Sequence, residues 1–265
     1  MKETAKRALI KATSVVKSQA FWEAVHQLSL KQMNYGHSGH FQDTGELWAV
    51  KLVRTRFQRE ASITVFDVGA NKGFYAATLS DLFGSQAQIH SFEPSRATYE
   101  QLLRNTHGRT NVLANHFGLS DEQHTQLLYT NTEGSGLASV YQRNLEHYDI
   151  AMAQTEEVRL TTIDDYCTEH AVERIHFLKL DVEGHELSVL KGAEGLLAAG
   201  RVDVIQFEFG GCNIDSKTYF RDFYHLLRGD FRIYRILRKG LREIRAYGET
   251  NEIFANANYL AIRRD

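Results

Sequence analysis

Along most of this chain, short apolar runs alternate with stretches whose apolar positions recur every third or fourth residue. ASITVFDVG at 61–69 is a strand-length run ending in an acid and a glycine. FYAATLSDLFG at 74–84 follows at helical spacing and stops at Gly84. AQIHSFEP at 87–94 reads as a second strand, and SRATYEQLLRNT at 95–106 as a helix with Tyr99, Leu102 and Leu103 turned inward. NVLANHFGLSD at 111–121 reads as a third strand. ERIHFLKLD at 173–181 and RVDVIQFEFG at 201–210 make a fourth and a fifth, separated by the helical HELSVLKGAEGLLAAG at 185–200. FRIYRIL at 231–237 and ANYLAIRR at 257–264 read as a closing pair of strands. Strands alternating with helices of roughly ten to fifteen residues predict βαβ units, hence an α/β fold around a mostly parallel sheet.

Two segments depart from this rhythm. Within 126–163, QLLYT and EEVRLTTI predict a hairpin flanking the polar NTEGSGLASVYQRNLEHY, an excursion of the length that forms a binding loop or lid. TTIDDYC then offers a capping box, Thr162 with Asp165, to open the next helix. Near the N-terminus, Leu9, Ala12, Val16, Trp22, Val25 and Leu28 predict an amphipathic helical segment over 5–30 that packs on the core. Lys2, Lys6, Arg7 and Lys11 offer a peripheral membrane contact instead, which Glu3 and Glu23 dilute. The expected organisation is a helical extension over 1–50 and a domain over 51–265, with 126–163 inserted on the substrate side.

Composition narrows the function classes. A chain of 265 residues, 43% hydrophobic, buries one sizeable core without disulfides or metal. Its single proline, Pro94, and the lack of any low-complexity linker fit one domain. A net charge of −2 gives no field that recruits nucleic acid. Cys167 and Cys212 form no ligand-spaced cluster, which suits a reducing compartment and excludes a cysteine zinc site. No apolar run reaches the roughly 18–20 residues of a membrane span, and Lys11 and Lys17 interrupt any signal-peptide core, so the expected location is the cytoplasm.

Ligands of open parallel sheets bind at the carboxyl ends of the strands, and here those ends are acidic. The first strand ends in Asp67 before VGANKG, the second in Glu93, the fourth in Asp181 and Glu183, the fifth in Gln206 and Glu208. Gln206 and Glu208 share a face of their strand, a placement that is unfavourable unless a ligand or partner satisfies them. DVGANKG is a tight turn that lets backbone approach a ligand closely, with Gly69 and Gly73 flanking Asn71, the non-glycine residue that best tolerates positive φ. It is not GxGxxG. Glu93 stands where an acid binds a ribose diol, so a ribose-bearing cofactor without an essential pyrophosphate fits better than NAD. GHELS lacks the second histidine of HExxH, which removes the zinc-protease reading. Glu186 has the place of an ordinary acid in a first helical turn. Asp181, Glu183 and Glu208 are chemically suited to a divalent cation such as Mg²⁺, although their spacing does not demand one.

FDVGANKGFY, SFEP, TTIDDY, LKLDVEGHELSVLKGAEGLL and VIQFEFG resemble, in this order, the motifs of the FkbM family of class I S-adenosylmethionine-dependent methyltransferases, over about residues 60–210. The resemblance implies a Rossmann-like, mostly parallel seven-stranded sheet with an antiparallel last strand and helices on both faces. It implies O-methyl transfer to a sugar hydroxyl in glycan biosynthesis, with a macrolide or peptide natural product as the alternative acceptor and a non-catalytic nucleotide-binding module as a further one. By position, Asp67, Gly69, Asn71 and Gly73 are then expected to cradle the methionine part of S-adenosylmethionine. Glu93 takes the ribose with Pro94 starting the next helix, and Gly118 and Leu119 lie near the adenine. Asp181 and Glu183 face the reacting methyl with Glu208 beside them, raising a neighbour's pKa by like-charge repulsion, and His185 serves as a base or orients one. The basic stretch 228–245 offers a cradle for a phosphate-bearing or lipid-linked glycan.

Overall fold

The computed structural model describes residues 16–36 and 41–264, with Thr4, Arg7, Lys11 and Thr13 before them. Leu9, Ala12, Lys2, Glu3 and Lys6, which carry part of the N-terminal reading, lie outside the described residues. Strands β1 (Ile63–Val68), β2 (Ala87–Phe92) and β3 (Val112–Asn115) form one half of the main sheet. The other half holds β7 (Ile175–Leu180), β8 (Val202–Phe209), β9 (Phe231–Leu237), β10 (Gly240–Glu243) and β11 (Ala257–Arg263). The spatial order is β10-β9-β11-β8-β7-β1-β2-β3. Strands β3, β2, β1, β7 and β8 are parallel, and β11 runs antiparallel between β8 and β9. The expected parallel core and antiparallel closing strand are both present. The sheet has eight strands instead of seven, because β9 turns back through Gly240 (φ 114°) into the short, polar β10. Four residues with so little apolar content give no strand pattern to read.

Both faces of the sheet are covered, so its strands are apolar nearly throughout. Phe66, Val68, Leu178, Leu180, Ile205 and Phe207 pack into one buried cluster. Val65, Phe177 and Val204 face a second, against Leu79 of α3 (Phe74–Phe83) and Ala49, Val50 and Val53 of α2 (Glu46–Arg56). On this second face the apolar pattern stops one step before the strand ends. Asp67, Lys179 and Gln206 stand side by side there on β1, β7 and β8. Helix α2 runs across residue 50 and packs with the sheet.

Helix α1 (Gln19–Gln32) begins at Ser18, whose hydroxyl caps Phe21 N. It buries no residue fully, and Phe21, Val25 and Leu28 are exposed. Leu30 packs partly on the core, and the buried Tyr35 beyond the helix end supplies the firmer anchor. Among the described residues, no helix is long and apolar enough to cross a membrane.

The third-strand run divides. β3 ends at Asn115, and β4 (Gly118–Leu119) joins β5 (His124–Thr130) and β6 (Gln154–Thr161) in a separate three-stranded sheet, order β4-β6-β5. The expected hairpin is present as the antiparallel β5–β6 pair. Thr162 caps α5 (Ile163–Glu169) as expected, its hydroxyl accepting from Asp165 N at 2.9 Å. The helix read over 185–200 is interrupted at Gly192, giving α6 (Glu186–Lys191) and α7 (Glu194–Ala198). A Cβ on Gly192 would lie 1.9 Å from the Ser120 carbonyl oxygen, so glycine is required where the chain beyond β4 passes against this turn. Gly192→Ala is expected to lower the thermal unfolding midpoint through overpacking of about 1–3 kcal/mol, read by calorimetry; an unchanged midpoint would show that the contact relaxes freely.

Candidate active site

One cavity of about 530 Å³ opens along the carboxyl edge of the main sheet. Its size suits a small-molecule cofactor together with part of an acceptor. The glycine turn after β1 forms one wall. Gly69 (φ 79°) and Asn71 (φ 49°) both take left-handed backbone, as the residue types predict. A Cβ on Gly69 would lie 1.9 Å from the Asp181 carbonyl, which makes glycine obligatory where β1 and β7 end together. Gly73 (φ 82°) does not line the cavity; it starts α3 and gives way to Leu102 of α4 (Arg96–Asn105). Glu93 is buried and accepts from Asn71 N (3.0 Å) and Ser95 N (2.9 Å), tying the β1 and β2 loops together. Burial pushes its carboxyl up to about 7. Pro94 lines the cavity but does not start the helix, since Ser95 is the N-cap and Arg96 the first helical residue. Gly118 and Leu119 line the same end, with Phe92, Leu128 and Leu160 as apolar neighbours.

Asp67, expected in the cradle, does not reach it. It is fully buried and does not line the cavity. Its carboxylate sits 3.6 Å from Lys179 Nζ, an ion pair beyond hydrogen-bond range. Lys179 also donates to Asp181 (3.1 Å) and lies over the Tyr75 ring at 4.5 Å. Around this ammonium runs a polar chain. Tyr75 OH donates to Gln206 (3.2 Å), Gln206 donates to Glu46 (2.8 Å), and Thr44 donates to the other Glu46 oxygen (2.8 Å). Burial raises Glu46 to about 7.

The acids of the fourth and fifth strands do converge. Asp181, Glu183 and Glu208 all line the cavity, and the Asp181 side chain is 42% exposed to it. Glu183 has left-handed backbone (φ 51°) and is paired with Arg143, whose guanidinium also lies 3.7 Å from Asp215. Burial pushes Glu183 up against the opposing pull of Arg143. Among the described residues, the Glu208 carboxyl has no hydrogen-bond partner, although its backbone is part of the β8–β11 ladder. Its carboxyl is driven well above the usual range, first by burial and then by Asp181, Glu183 and Glu186. The like-charge repulsion expected between Glu208 and its neighbours is thus present, and it raises Glu208 itself.

His185 lines the cavity but is buried and bonded at both ring nitrogens, to Ser120 Oγ (2.9 Å) and Tyr141 OH (3.0 Å). Burial lowers it to about 4, so it is a neutral brace at ordinary pH. Glu186 is buried and accepts from Val182 N (3.0 Å) and Gly184 N (3.2 Å), holding the turn that carries Glu183. From the insertion, Ser135, Gly136, Leu137 and Val140 fold over the cavity, and Ser139 Oγ donates to the Glu183 carbonyl at 2.8 Å.

As a possible metal set, Glu183, Glu208 and Cys212 bring their ligand atoms within 4.8 Å of one another, without Asp181. Arg143 already holds an oxygen of Glu183, and burial keeps the Cys212 thiol well above its usual range, so the hard-oxygen trio chemically suited to Mg²⁺ is not the set that converges. No residue of the basic stretch 228–245 lines the cavity; it occupies the outer β9–β10 edge, where Arg235 stacks on Tyr35 at 4.2 Å and Arg245 pairs with Glu243. Lys179, Glu46, Tyr75, Asn258 and Arg143 were absent from the sequence reading. Lys179 had a signal, since a lone cation two residues before Asp181 in an apolar strand must share its face.

A strand order with β11 inserted antiparallel, a glycine turn after β1 and an acid after β2 define a Rossmann-like class I methyltransferase. The family model described as the methyltransferase FkbM domain matches residues 67–237, and the chain belongs to that family. It is an S-adenosylmethionine-dependent methyltransferase. Hexuronic acid methyltransferase AglP of Haloferax volcanii is 25% identical over 186 residues, 66% of this chain and 72% of that protein. Methyltransferase sdnD of Sordaria araneosa is 29% identical over 156 residues, 49% of this chain and 60% of its own length. Among solved structures, the O-methyltransferase from Bacillus cereus in complex with SAH aligns over 100% of both chains at 12% identity, with a TM-score of 0.44.

Proposed function

We propose that this enzyme transfers the methyl group of S-adenosylmethionine to a sugar hydroxyl of a glycan or glycoside, in the cytoplasm. The observation that carries the reading is the single cavity in which the Gly69–Asn71 turn and Glu93 meet an unpartnered carboxyl, Glu208, beside the Asn258 amide. The name of the relative AglP, a hexuronic acid methyltransferase, supports a sugar acceptor.

The residues fit the cofactor. The buried Asn71 Oδ1 has no partner of its own, and Glu93 keeps lone pairs for a diol beyond the two amides it already accepts. Phe92, Pro94, Leu119 and Leu160 provide apolar walls for a purine. When bound, S-adenosylmethionine supplies an electrophilic methyl group on a positively charged sulfur that leaves as a neutral thioether. Asp181, held by Lys179 beside the β1 turn, would steady that positive charge. Glu208, one strand further on, accepts the proton of the acceptor hydroxyl as its oxygen bonds to carbon. A carboxylate raised toward neutrality is better matched to that task than an ordinary one. Glu183, tied to Arg143, and His185, bonded at both nitrogens, hold the turn between them.

Calorimetric titration tests the cofactor half. S-adenosylmethionine and S-adenosylhomocysteine should bind, and NAD should not; no binding of the first two would sink the reading. Glu93→Ala is expected to weaken S-adenosylmethionine about tenfold or more, the loss of a charge-assisted hydrogen-bond pair. Mass spectrometry of glycans from cells with and without the gene, looking for a mass difference of one methylene, tests the acceptor half.

A further inference from the structure

The carboxyl edge of the sheet serves as a ruler. Neighbouring strands lie about 4.8 Å apart, and from β2 through β1, β7 and β8 to β11 the cavity meets Glu93, Gly69, Asp181, Glu208 and Asn258 in turn. The β2–β1 end has the features suited to S-adenosylmethionine, so the acceptor occupies the β8–β11 end. Phe41, Thr44, Glu46, Glu208, Asn256 and Asn258 line that end.

Its charge is one-sided. Glu46, Asp181, Glu183 and Glu208 all line the cavity. Lys179 is already bonded to Asp181 and paired with Asp67. Arg143 is committed to Glu183 and Asp215 and does not line the cavity, and Lys72 belongs to the turn after β1, at the cofactor end. The basic stretch 228–245 lies elsewhere. Burial, and after it the neighbouring Asp181, Glu183 and Glu186, already drive Glu208 toward its protonated form. An entering carboxylate or phosphate would add to the repulsion that already raises these carboxyls and would find no uncommitted cation among the described residues lining that end, an unfavourable burial. A neutral polyol meets partners instead. Glu208 and Asn258 stand opposite each other across β8 and β11, offering a carboxyl and an amide to vicinal hydroxyls. Phe41 offers an apolar face to the ring's C–H groups.

We propose that the acceptor site takes an uncharged sugar ring, a neutral hexose or deoxyhexose, and rejects hexuronates and sugar phosphates at the ring that is methylated. The inference rests on the sugar-hydroxyl reading above and refines its acceptor. It separates this enzyme from the hexuronic acid in the name of its relative AglP.

The test uses matched alkyl glycosides in the gluco, galacto and manno series, each as the neutral hexoside, the hexuronamide, the hexuronate and the 6-phosphate. Release of S-adenosylhomocysteine and the product mass are followed with the full-length enzyme. The neutral hexoside and the hexuronamide should share kcat/KM to within about threefold, with the hexuronate and phosphate about tenfold or more below them. Glu46→Gln should narrow that gap by raising the anionic substrates selectively. A hexuronate that matches or outruns its own amide overturns the charge inference and leaves the sugar reading standing. If no glycoside of any charge is methylated while S-adenosylmethionine still binds, the sugar reading falls and takes this inference with it.

Discussion

Glu208→Gln is expected to lower kcat by about 10²- to 10⁴-fold, the usual contribution of a positioned base, while S-adenosylmethionine affinity stays near that of the unchanged enzyme. Glutamine preserves the shape and a hydrogen bond to the acceptor but cannot take its proton. The pH profile supplies a readout that a packing defect would not give. In the unchanged enzyme the rate should climb with pH as Glu208 loses its proton, with a midpoint well above the ordinary carboxylate range because burial and Asp181, Glu183 and Glu186 raise it. The glutamine variant should lose that limb. An unaltered profile with near-normal turnover would move the base assignment to Asp181, whose Asn variant should then show the larger loss.

Lys179→Met should destabilise the fold by about 3–5 kcal/mol, the penalty for stranding one member of a buried ion pair. At roughly 2–4 °C per kcal/mol for a chain of this size, the thermal midpoint drops by about 10 °C. The reason is specific to Asp67, which is fully buried, accepts no hydrogen bond within its strand row, and has Lys179 as the cation beside it. The double variant Lys179→Met, Asp67→Asn should recover much of the loss, because neither buried charge then remains. A double variant no more stable than Lys179→Met alone would show that the ammonium stabilises through Tyr75 and Asp181 instead.

How far the sequence revealed the fold depended on how local each signal was. The parallel strands announced themselves, because a strand covered on both faces must be apolar throughout. The glycine turn was equally plain, since positive φ restricts residue type locally at Gly69 and Asn71. The acids at the strand ends were found as a set, and Asp181, Glu183 and Glu208 do share the cavity. Their individual situations were not legible. Asp67 and Asp181 look equivalent as strand-end acids, yet Asp67 pairs with Lys179, two residues short of Asp181, which leaves one sealed beneath the sheet edge and the other facing the cavity. His185 reads from the sequence as a base or the orienter of one, and only the distant Ser120 and Tyr141 make it a buried brace. Arg143 and Glu46 act across long stretches of sequence, on Glu183 and Gln206, where no periodicity reports. The demand for glycine at 192 was hidden for the same reason, since it comes from the distant chain at Ser120.

The insertion and the turn after β7 are fastened at three points, Ser139 to the Glu183 carbonyl, Tyr141 to His185, and Arg143 to the Glu183 carboxylate. On the roles proposed above, acceptor choice and reaction rate would therefore be inherited together in this enzyme. A designer who transplants the insertion from a relative to change the acceptor also alters the posture of the acids beneath it, and must carry matching residues at 183 and 185 in the same graft.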